Sequence, residues 1–130
     1  MPRPHPGVPV RGSTTGRPIM ALLDLLGRRW ILRVVWELGI GPLGFRDLQE
    51  RCDAMSSSVL SQRLGELRDA GIAVQAEEGG PWSLTPHGGA LLRDLAPLDA
   101  WAREWAGREG GTAIGGAGDE RPDATGRAVP

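Results

Sequence analysis

Apolar residues recur at helical spacing over much of the chain, and this pattern predicts its first two helices. Pro18 favours the start of a short, largely apolar helix that Gly27 interrupts. A second helix follows, ends within residues 39–42, and carries apolar side chains at three- and four-residue spacing. This stripe comprises Trp30, Ile31, Val34, Val35 and Leu38. The second helix is therefore predicted to be a core helix.

Two further short helices are predicted beyond this point, joined by a tight turn. Phe45, Leu48 and Cys52 form one apolar stripe on the third helix. Ser56 is a natural N-cap for a fourth helix over residues 57–70, because its hydroxyl can accept a hydrogen bond from a backbone N–H. The inward-facing positions of the fourth helix are Leu60, Leu64 and Leu67. Two such helices with a short turn between them form a helix-turn-helix.

The next segment alternates between apolar and other residues, which predicts a two-stranded hairpin. Ile72, Val74 and Ala76 share one face of its first strand, and Trp82 and Leu84 share one face of its second. The glycines and proline of the intervening segment supply the turn.

A last helix is predicted to follow, with Thr85 as its N-cap and Pro86 as its first residue. Its apolar residues are spaced alternately by four and three, which is typical of a helix that packs against a partner helix. Pro97 is expected to kink it near the middle. The seam comprises Leu91, Leu95, Leu98, Ala102 and Trp105.

The order of these elements predicts a mainly α fold with a small β-hairpin, of the α+β class. The same order of elements is found in winged helix-turn-helix domains. The predicted domain spans residues 18–106 and has an extra C-terminal dimerisation helix. Residues 1–17 contain seven glycines and prolines, residues 107–130 contain nine, and both stretches have few large apolar side chains. Both are predicted to be disordered tails, because they bury too little surface to offset the entropy of ordering.

The composition of the chain excludes several classes of function. The formal net charge is −1, so any DNA contact must come from local clusters of basic residues. All fifteen basic residues are arginine, which excludes a P-loop lysine and a lysine Schiff base, and Cys52 is the only cysteine. No apolar run suits a signal peptide or a membrane span, so we expect a cytoplasmic protein without membrane contact. No nucleophile, metal-ligand set or carboxylate pair converges, so neither an enzyme nor a cofactor is expected.

Several strings resemble the HxlR family of bacterial regulators. Residues 22–30, LLDLLGRRW, resemble the family's opening segment, and residues 45–48, FRDL, resemble the start of its first turn helix. Residues 56–67, SSSVLSQRLGEL, are similar to its recognition helix, and residues 82–88, WSLTPHG, to its strand-to-helix junction. The resemblance implies a homodimeric repressor or activator that pairs through its terminal helices. Such a dimer would insert the 56–70 helix into the major groove of a pseudo-palindromic operator.

Three features depart from the family's pattern. Arg17 stands where members commonly carry a cysteine, so thiol redox sensing by that route is absent. Glu77 and Glu78 occupy the tip of a short hairpin, and this wing is expected to repel phosphate. Ser58 stands where the family often has arginine, which removes one phosphate or guanine contact.

The face of the fourth helix opposite its leucines is the predicted DNA-contacting surface. Serine hydroxyls can bond base edges or phosphate, the Gln62 amide can contact adenine, and Gly65 permits close approach. Nearby arginines can contact phosphate, although pairing with Glu66, Asp69 or Asp47 is an equal alternative. The predicted DNA-binding residues are Ser57, Ser58, Ser61, Gln62, Arg63, Arg46, Arg68 and Arg29.

The predicted partners are double-stranded DNA and a second copy of the chain. The predicted dimer interface comprises Leu22, Leu26, Leu91, Leu95, Leu98, Trp101 and Trp105. A small-molecule effector near Trp30, Trp36 and Trp101 is left open, since tryptophans at helical spacing are more often plain core. The alternative function is a winged-helix module that binds proteins and not DNA, which the acidic wing tip and the missing arginine at Ser58 favour.

Overall fold

The computed structural model describes residues 3–7 and 16–114, with the backbone alone for residues 109–114. The described part contains five helices and one two-stranded antiparallel sheet. In chain order the elements are α1 (Pro18–Leu26), α2 (Ile31–Ile40), α3 (Phe45–Arg51), α4 (Ser57–Asp69), β1 (Ala73–Gln75), β2 (Trp82–Leu84) and α5 (Pro86–Ile114). The predicted fold class is confirmed. The chain divides into two compact units, residues 1–90 and residues 91–130.

Local chemistry sets the starts of the helices where the sequence predicts them. Pro18 is the first residue of α1, a position at which its missing N–H removes no helical hydrogen bond. The Ser56 hydroxyl accepts a hydrogen bond from the Val59 N–H at 3.3 Å and caps α4. The Thr85 hydroxyl accepts one from the Gly88 N–H at 2.9 Å at the start of α5.

The core of the first unit lies where α2, α3 and α4 pack together with the hairpin. Its largest fully buried side chains are Ile31, Val34, Val35, Leu48, Cys52, Leu60, Leu64 and Leu67. All of these are predicted core positions. Trp30 was predicted to belong to the same stripe, and this is wrong: it precedes α2 as a half-buried N-cap with φ of 79°. The chain turns sharply at Trp30 to join α1 to α2, so its side chain leaves the helical pattern.

The hairpin forms as predicted, but its first strand presents a different face to the core. Ala73 pairs with Leu84 and is buried, whereas Val74 is 45% exposed. Ile72 is buried, so the predicted shared face of Ile72 and Val74 does not exist. The Ile72 N–H bonds the Leu67 carbonyl at 2.9 Å, so Ile72 completes the end of α4 and the strand alternation begins one residue later.

The second unit contains the remainder of α5. The helix passes through Pro97 and continues beyond Ala106, the predicted end of the domain, to Ile114. Trp101 and Trp105 stack on this helix, with ring centroids 5.8 Å apart. None of the helices within the described residues combines the length and the apolar character needed to cross a membrane.

The predicted tails are described only in part. In the first of them, Arg3 forms an ion pair with Asp69 of α4, and Pro4 is buried. Residues 1–2, 8–15 and 115–130 lie outside the described residues, and for these the predicted disorder stays a prediction.

Gly88, in the first turn of α5, lies against the backbone that leads from α4 into β1. A Cβ built on Gly88 would lie 2.1 Å from the Ile72 carbonyl oxygen, a backbone atom that cannot rotate away. Gly88→Ala is expected to lower the free energy of unfolding by about 1 to 3 kcal/mol, measured by urea denaturation. Gly107→Ala is the matched control on the same helix, because a Cβ there meets nothing within 4 Å. Equal effects of the two substitutions would contradict this account.

Candidate nucleic-acid interface

The outer face of α4 presents a row of polar side chains to solvent. It is exposed because the leucines on the opposite side of the helix are buried in the core. The exposed polar residues predicted here are Ser57, Ser58, Ser61 and Gln62. The Ser58 hydroxyl lies 3.0 Å from that of Ser56, so the two share a hydrogen bond at the start of the helix. The row offers the hydroxyl and amide groups that hydrogen-bond to base edges.

Three of the predicted arginines carry exposed charges near this helix. Arg46 is exposed on α3. The Arg29 guanidinium lies 5.6 Å from the ring centroid of Trp30, and that of Arg68 lies 5.8 Å from the ring centroid of Trp82. Contact with an aromatic face restrains a guanidinium plane while its edges can still donate hydrogen bonds.

Arg63 is held within the protein. Its Nε donates to the Arg29 carbonyl oxygen at 2.7 Å, and its Nη1 donates to the Glu66 carboxylate at 3.0 Å. Only 16% of the side chain is exposed. Of the two roles that the sequence leaves open for Arg63, the structure contains the pairing with Glu66.

Glu66 is the centre of a buried ion-pair network. Its side chain is 1% exposed and accepts a hydrogen bond from Arg28 Nη1 at 2.8 Å, besides the one from Arg63. Arg28 also pairs with Asp24 of α1 at 3.1 Å. A buried carboxylate needs such donors, because the transfer of an unpaired charge out of water is costly. The network ties α4 to α1 and to the turn after α1, and so sets which side of α4 faces solvent.

Only half of this network is visible in the sequence. Arg63 and Glu66 are three positions apart on one helix, a spacing at which side chains meet. Arg28 is 38 residues away from Glu66 along the chain, and no local pattern links them.

A second ion-pair cluster joins α2 to the end of α3. Arg33 Nε donates to Glu37 at 3.0 Å, and Arg33 Nη2 donates to the Arg51 carbonyl oxygen at 2.6 Å. The hydrogen bond to Glu37 raises the pKa of Arg33 above its ordinary value. Arg33 also lies 3.5 Å from Asp53, in the turn of the helix-turn-helix. The cluster therefore fixes the turn that leads into α4.

Cys52 is buried at the end of α3, as its apolar stripe predicts. Burial raises the pKa of its thiol to about 11. The thiolate, which is the reactive form of cysteine, is therefore scarce near neutral pH. Cys52 serves as an apolar core residue.

The hairpin tip and one cavity complete the surroundings of α4. Glu77 and Glu78 are exposed at the tip, where the sequence predicts a negative wing. A cavity of about 550 Å³ adjoins α1, the turn after it and α4. It is lined by Met20, Leu23, Asp24, Gly27, Arg28, Arg29, Gln62 and Arg63. No group of three His, Cys, Asp or Glu side chains in the described residues could hold a metal ion.

Helix α1 exposes two apolar side chains, but these are not the two predicted to lie in the dimer interface. Ile19 and Leu23 are 54% and 52% exposed, whereas Leu22 and Leu26 are half-buried. The helix is apolar on nearly every side, so its sequence does not reveal which side the core covers.

The α5 residues of the predicted dimer interface range from half-buried to exposed. Leu91 and Leu95 are half-buried, and Leu98, Trp101 and Trp105 are exposed. The two tryptophans and Leu98 are the largest apolar groups that the described part of α5 leaves open to solvent.

Comparison with known proteins gives consistent matches. A model of the HxlR-like helix-turn-helix family matches residues 25–110. YvaP of Bacillus subtilis (strain 168), an uncharacterized HTH-type transcriptional regulator, is 33% identical over an alignment of 92 residues, and the match covers 64% of this chain and 82% of YvaP. The crystal structure of quinone-bound YodB from B. subtilis has a TM-score of 0.62 at 29% identity and covers 66% of this chain and 96% of YodB. A possible HxlR family transcriptional factor from Thermoplasma volcanium GSS1 has a TM-score of 0.58 at 26% identity, over 65% of this chain and 81% of its own.

The Glu66 network gives a stability prediction. Glu66→Gln removes the carboxylate that Arg28 and Arg63 share and should lower the free energy of unfolding by about 3 kcal/mol in urea denaturation. Asp99→Asn is the control, because its partner Arg103 is 64% exposed and an exposed pair contributes at most about 1 kcal/mol. A cost for Glu66→Gln as small as that of the control would show that the network does not hold α4.

Proposed function

The chain belongs to the HxlR-like helix-turn-helix family of transcriptional regulators, and we propose that it binds operator DNA as a homodimer. Each α4 enters the major groove of one half of a pseudo-palindromic operator, and the two half-sites are about 34 to 36 Å apart. The regulator acts in the cytoplasm and carries no catalytic function. The observation that supports this most strongly is the row of exposed serine and glutamine side chains on a helix whose rotation is fixed by Glu66.

The exposed residues divide into two roles in this proposal. The Gln62 amide contacts a base edge, and the hydroxyls of the neighbouring serines contact bases or phosphate. Arg46, Arg29 and Arg68 contact phosphate, because their charges lie at the surface around α4. Arg63 holds α4 in place through Glu66 rather than touching DNA.

Gln62 provides the test of base recognition. Gln62→Ala should weaken operator binding by about 1 to 3 kcal/mol and relax preference at one position per half-site. The measurement is a salt-titrated fluorescence anisotropy experiment on DNA from the gene's own upstream region. Arg46→Ala is the contrasting variant, since loss of a phosphate contact weakens binding to all sequences alike and lowers the salt slope by about 1 per contact.

The same experiment bears on the second candidate function, a module that binds a protein and not DNA. The exposed carboxylates of Glu77 and Glu78 at the wing tip favour it, because they repel phosphate. Operator binding that survives both Gln62→Ala and Ser61→Ala, together with loss of a protein partner, would favour this module over the regulator.

We propose that the dimer is held by the exposed apolar surfaces of α1 and α5. Trp105→Glu should weaken dimerisation by about 2 kcal/mol or more, because a charge would replace a large apolar group in the interface. Sedimentation equilibrium should give twice the chain mass for the unmodified protein and a concentration-dependent mixture for the variant. Val74→Glu, at a comparably exposed apolar position on the hairpin, is the control and should leave the dimer intact. A monomer at high micromolar concentration would rule out this interface.

A small-molecule effector is also part of the proposal. YodB, a structural neighbour, has been crystallised with quinone bound. In this chain the cavity beside Leu23 and Gln62 is the proposed site, because a ligand there would touch both α1 and the residue that contacts bases.

A further inference from the structure

Arg3 lies on the outer face of α4, although it is 66 residues away along the chain from its partner there. Its guanidinium lies against Gly65, where a built Cβ would come within 3.1 Å of Nη2, and it forms an ion pair with Asp69. The adjacent Pro4 is buried. Gly65 and Asp69 continue the side of α4 that carries Gln62, because residues three or four apart share a helix face. Arg3 therefore lies on the surface proposed to face DNA.

Residues 3–7, which we call the arm, are anchored at their far end. The Gly7 N–H donates to the Gly16 carbonyl oxygen at 2.8 Å. Both glycines have positive φ, 87° and 73°, in the region that other residues rarely adopt. Gly16 directly precedes Arg17, the N-cap of α1, so this hydrogen bond ties the base of the arm to the start of the first helix.

The arm brings a positive charge to a domain in which acidic residues outnumber arginines. Residues 18–106 contain nine arginines and twelve acidic residues, whereas the arm contains one arginine, Arg3, and no acidic residue. On the outer face of α4, the Asp69 carboxylate by itself would repel a phosphate backbone. Arg3 places a positive charge beside that carboxylate.

We propose that the arm contacts DNA, with the Arg3 guanidinium bridging the Asp69 carboxylate and a backbone phosphate at the edge of each half-site. This rests on the proposed function. A recognition helix contacts bases chiefly through its N-terminal residues, so the later turns of α4, with Gly65 and Asp69, lie towards the backbone that borders the groove. A guanidinium has five N–H donors and can serve two acceptors at once. The Arg3 side chain is 38% exposed in its contact with Asp69.

Four proteins test the arm in the salt-titrated binding experiment: wild type, Arg3→Ala, Asp69→Asn and the double variant. Arg3→Ala should weaken binding three- to tenfold on operator and unrelated DNA alike, and should lower the salt slope by about 1 per protomer. Asp69→Asn should tighten binding severalfold. Adding Arg3→Ala to Asp69→Asn should still weaken binding, because the phosphate contact is lost. If Arg3→Ala has no effect in that background, Arg3 only neutralises Asp69 and the phosphate contact is overturned.

Arg103→Ala is the matched control, since it removes an equal charge from an exposed ion pair on α5. Equal loss of affinity from Arg103→Ala and Arg3→Ala would show that only the net charge of the protein matters. That result would overturn the proposed contact between the arm and DNA. Tighter binding by Arg3→Ala would also overturn it, because the arm would then obstruct α4. If Gln62→Ala relaxes the sequence preference but Arg3→Ala binds like wild type, only the proposed DNA contact of the arm is contradicted. If wild type does not bind DNA at all, both proposals fail.

Affinity cleavage measures the contact directly. His5 is exposed within the arm, and Cys52 is buried, so His5→Cys can be labelled selectively with an iron–EDTA reagent. The labelled protein, bound to operator DNA, should cut the backbone at the outer edge of each half-site. Bound DNA that is not cut there would overturn the proposal.

Discussion

An ionised carboxylate buried in a protein is destabilising unless donors surround it, and Glu66 carries such a group beneath the turn between α1 and α2. Arg28 and Arg63 supply the donors from two different parts of the chain. Because the hydrogen bonds are directional, they hold α4 at one rotation and not merely at one distance. The leucines of α4, fully buried on the opposite side, set the inward face of the helix. The buried leucines and this ionic contact together set the outer face that presents Gln62.

The chain uses arginine alone as its basic side chain, and the structure shows where that matters. Arg33 reaches Glu37, the Arg51 carbonyl and Asp53 with one planar group. A lysine ammonium is a point charge and would not match this fixed geometry. Arginines of this kind stabilise the helix-turn-helix from within. The charges around α4 that remain at the surface are few, which fits a net charge of −1 and the local DNA contact proposed above.

The apolar groups left at the surface are unevenly distributed. Ile19 and Leu23 lie on α1, and Leu98, Trp101 and Trp105 lie on α5. Scattered apolar residues are normal on a protein surface, but stacked tryptophans on a helix with heptad-like spacing are typical of an interface. These helices flank the helix-turn-helix in the sequence, and the proposed dimer would pair through them.

The sequence by itself determined what depends on neighbours along the chain. Ser56 and Thr85 as caps, Pro18 as a first helical residue and Cys52 as a core residue follow from local bonding and from spacing on one helix. The candidate DNA face followed in the same way, because the buried leucines of α4 leave one side for solvent.

Only the tertiary structure decided the features that join distant segments. The Ile72 N–H bonds to α4, so the alternation of buried and exposed residues in β1 begins one residue later than predicted. Trp30 lies outside its predicted apolar stripe, because the chain turns there between α1 and α2. Whether Arg63 pairs or faces solvent depended on the position of Glu66 beside Arg28, and the contact of Arg3 with α4 had no signal in the sequence. Such pairings are set by how the whole chain packs, since an ion pair between remote residues has no period that a sequence can display.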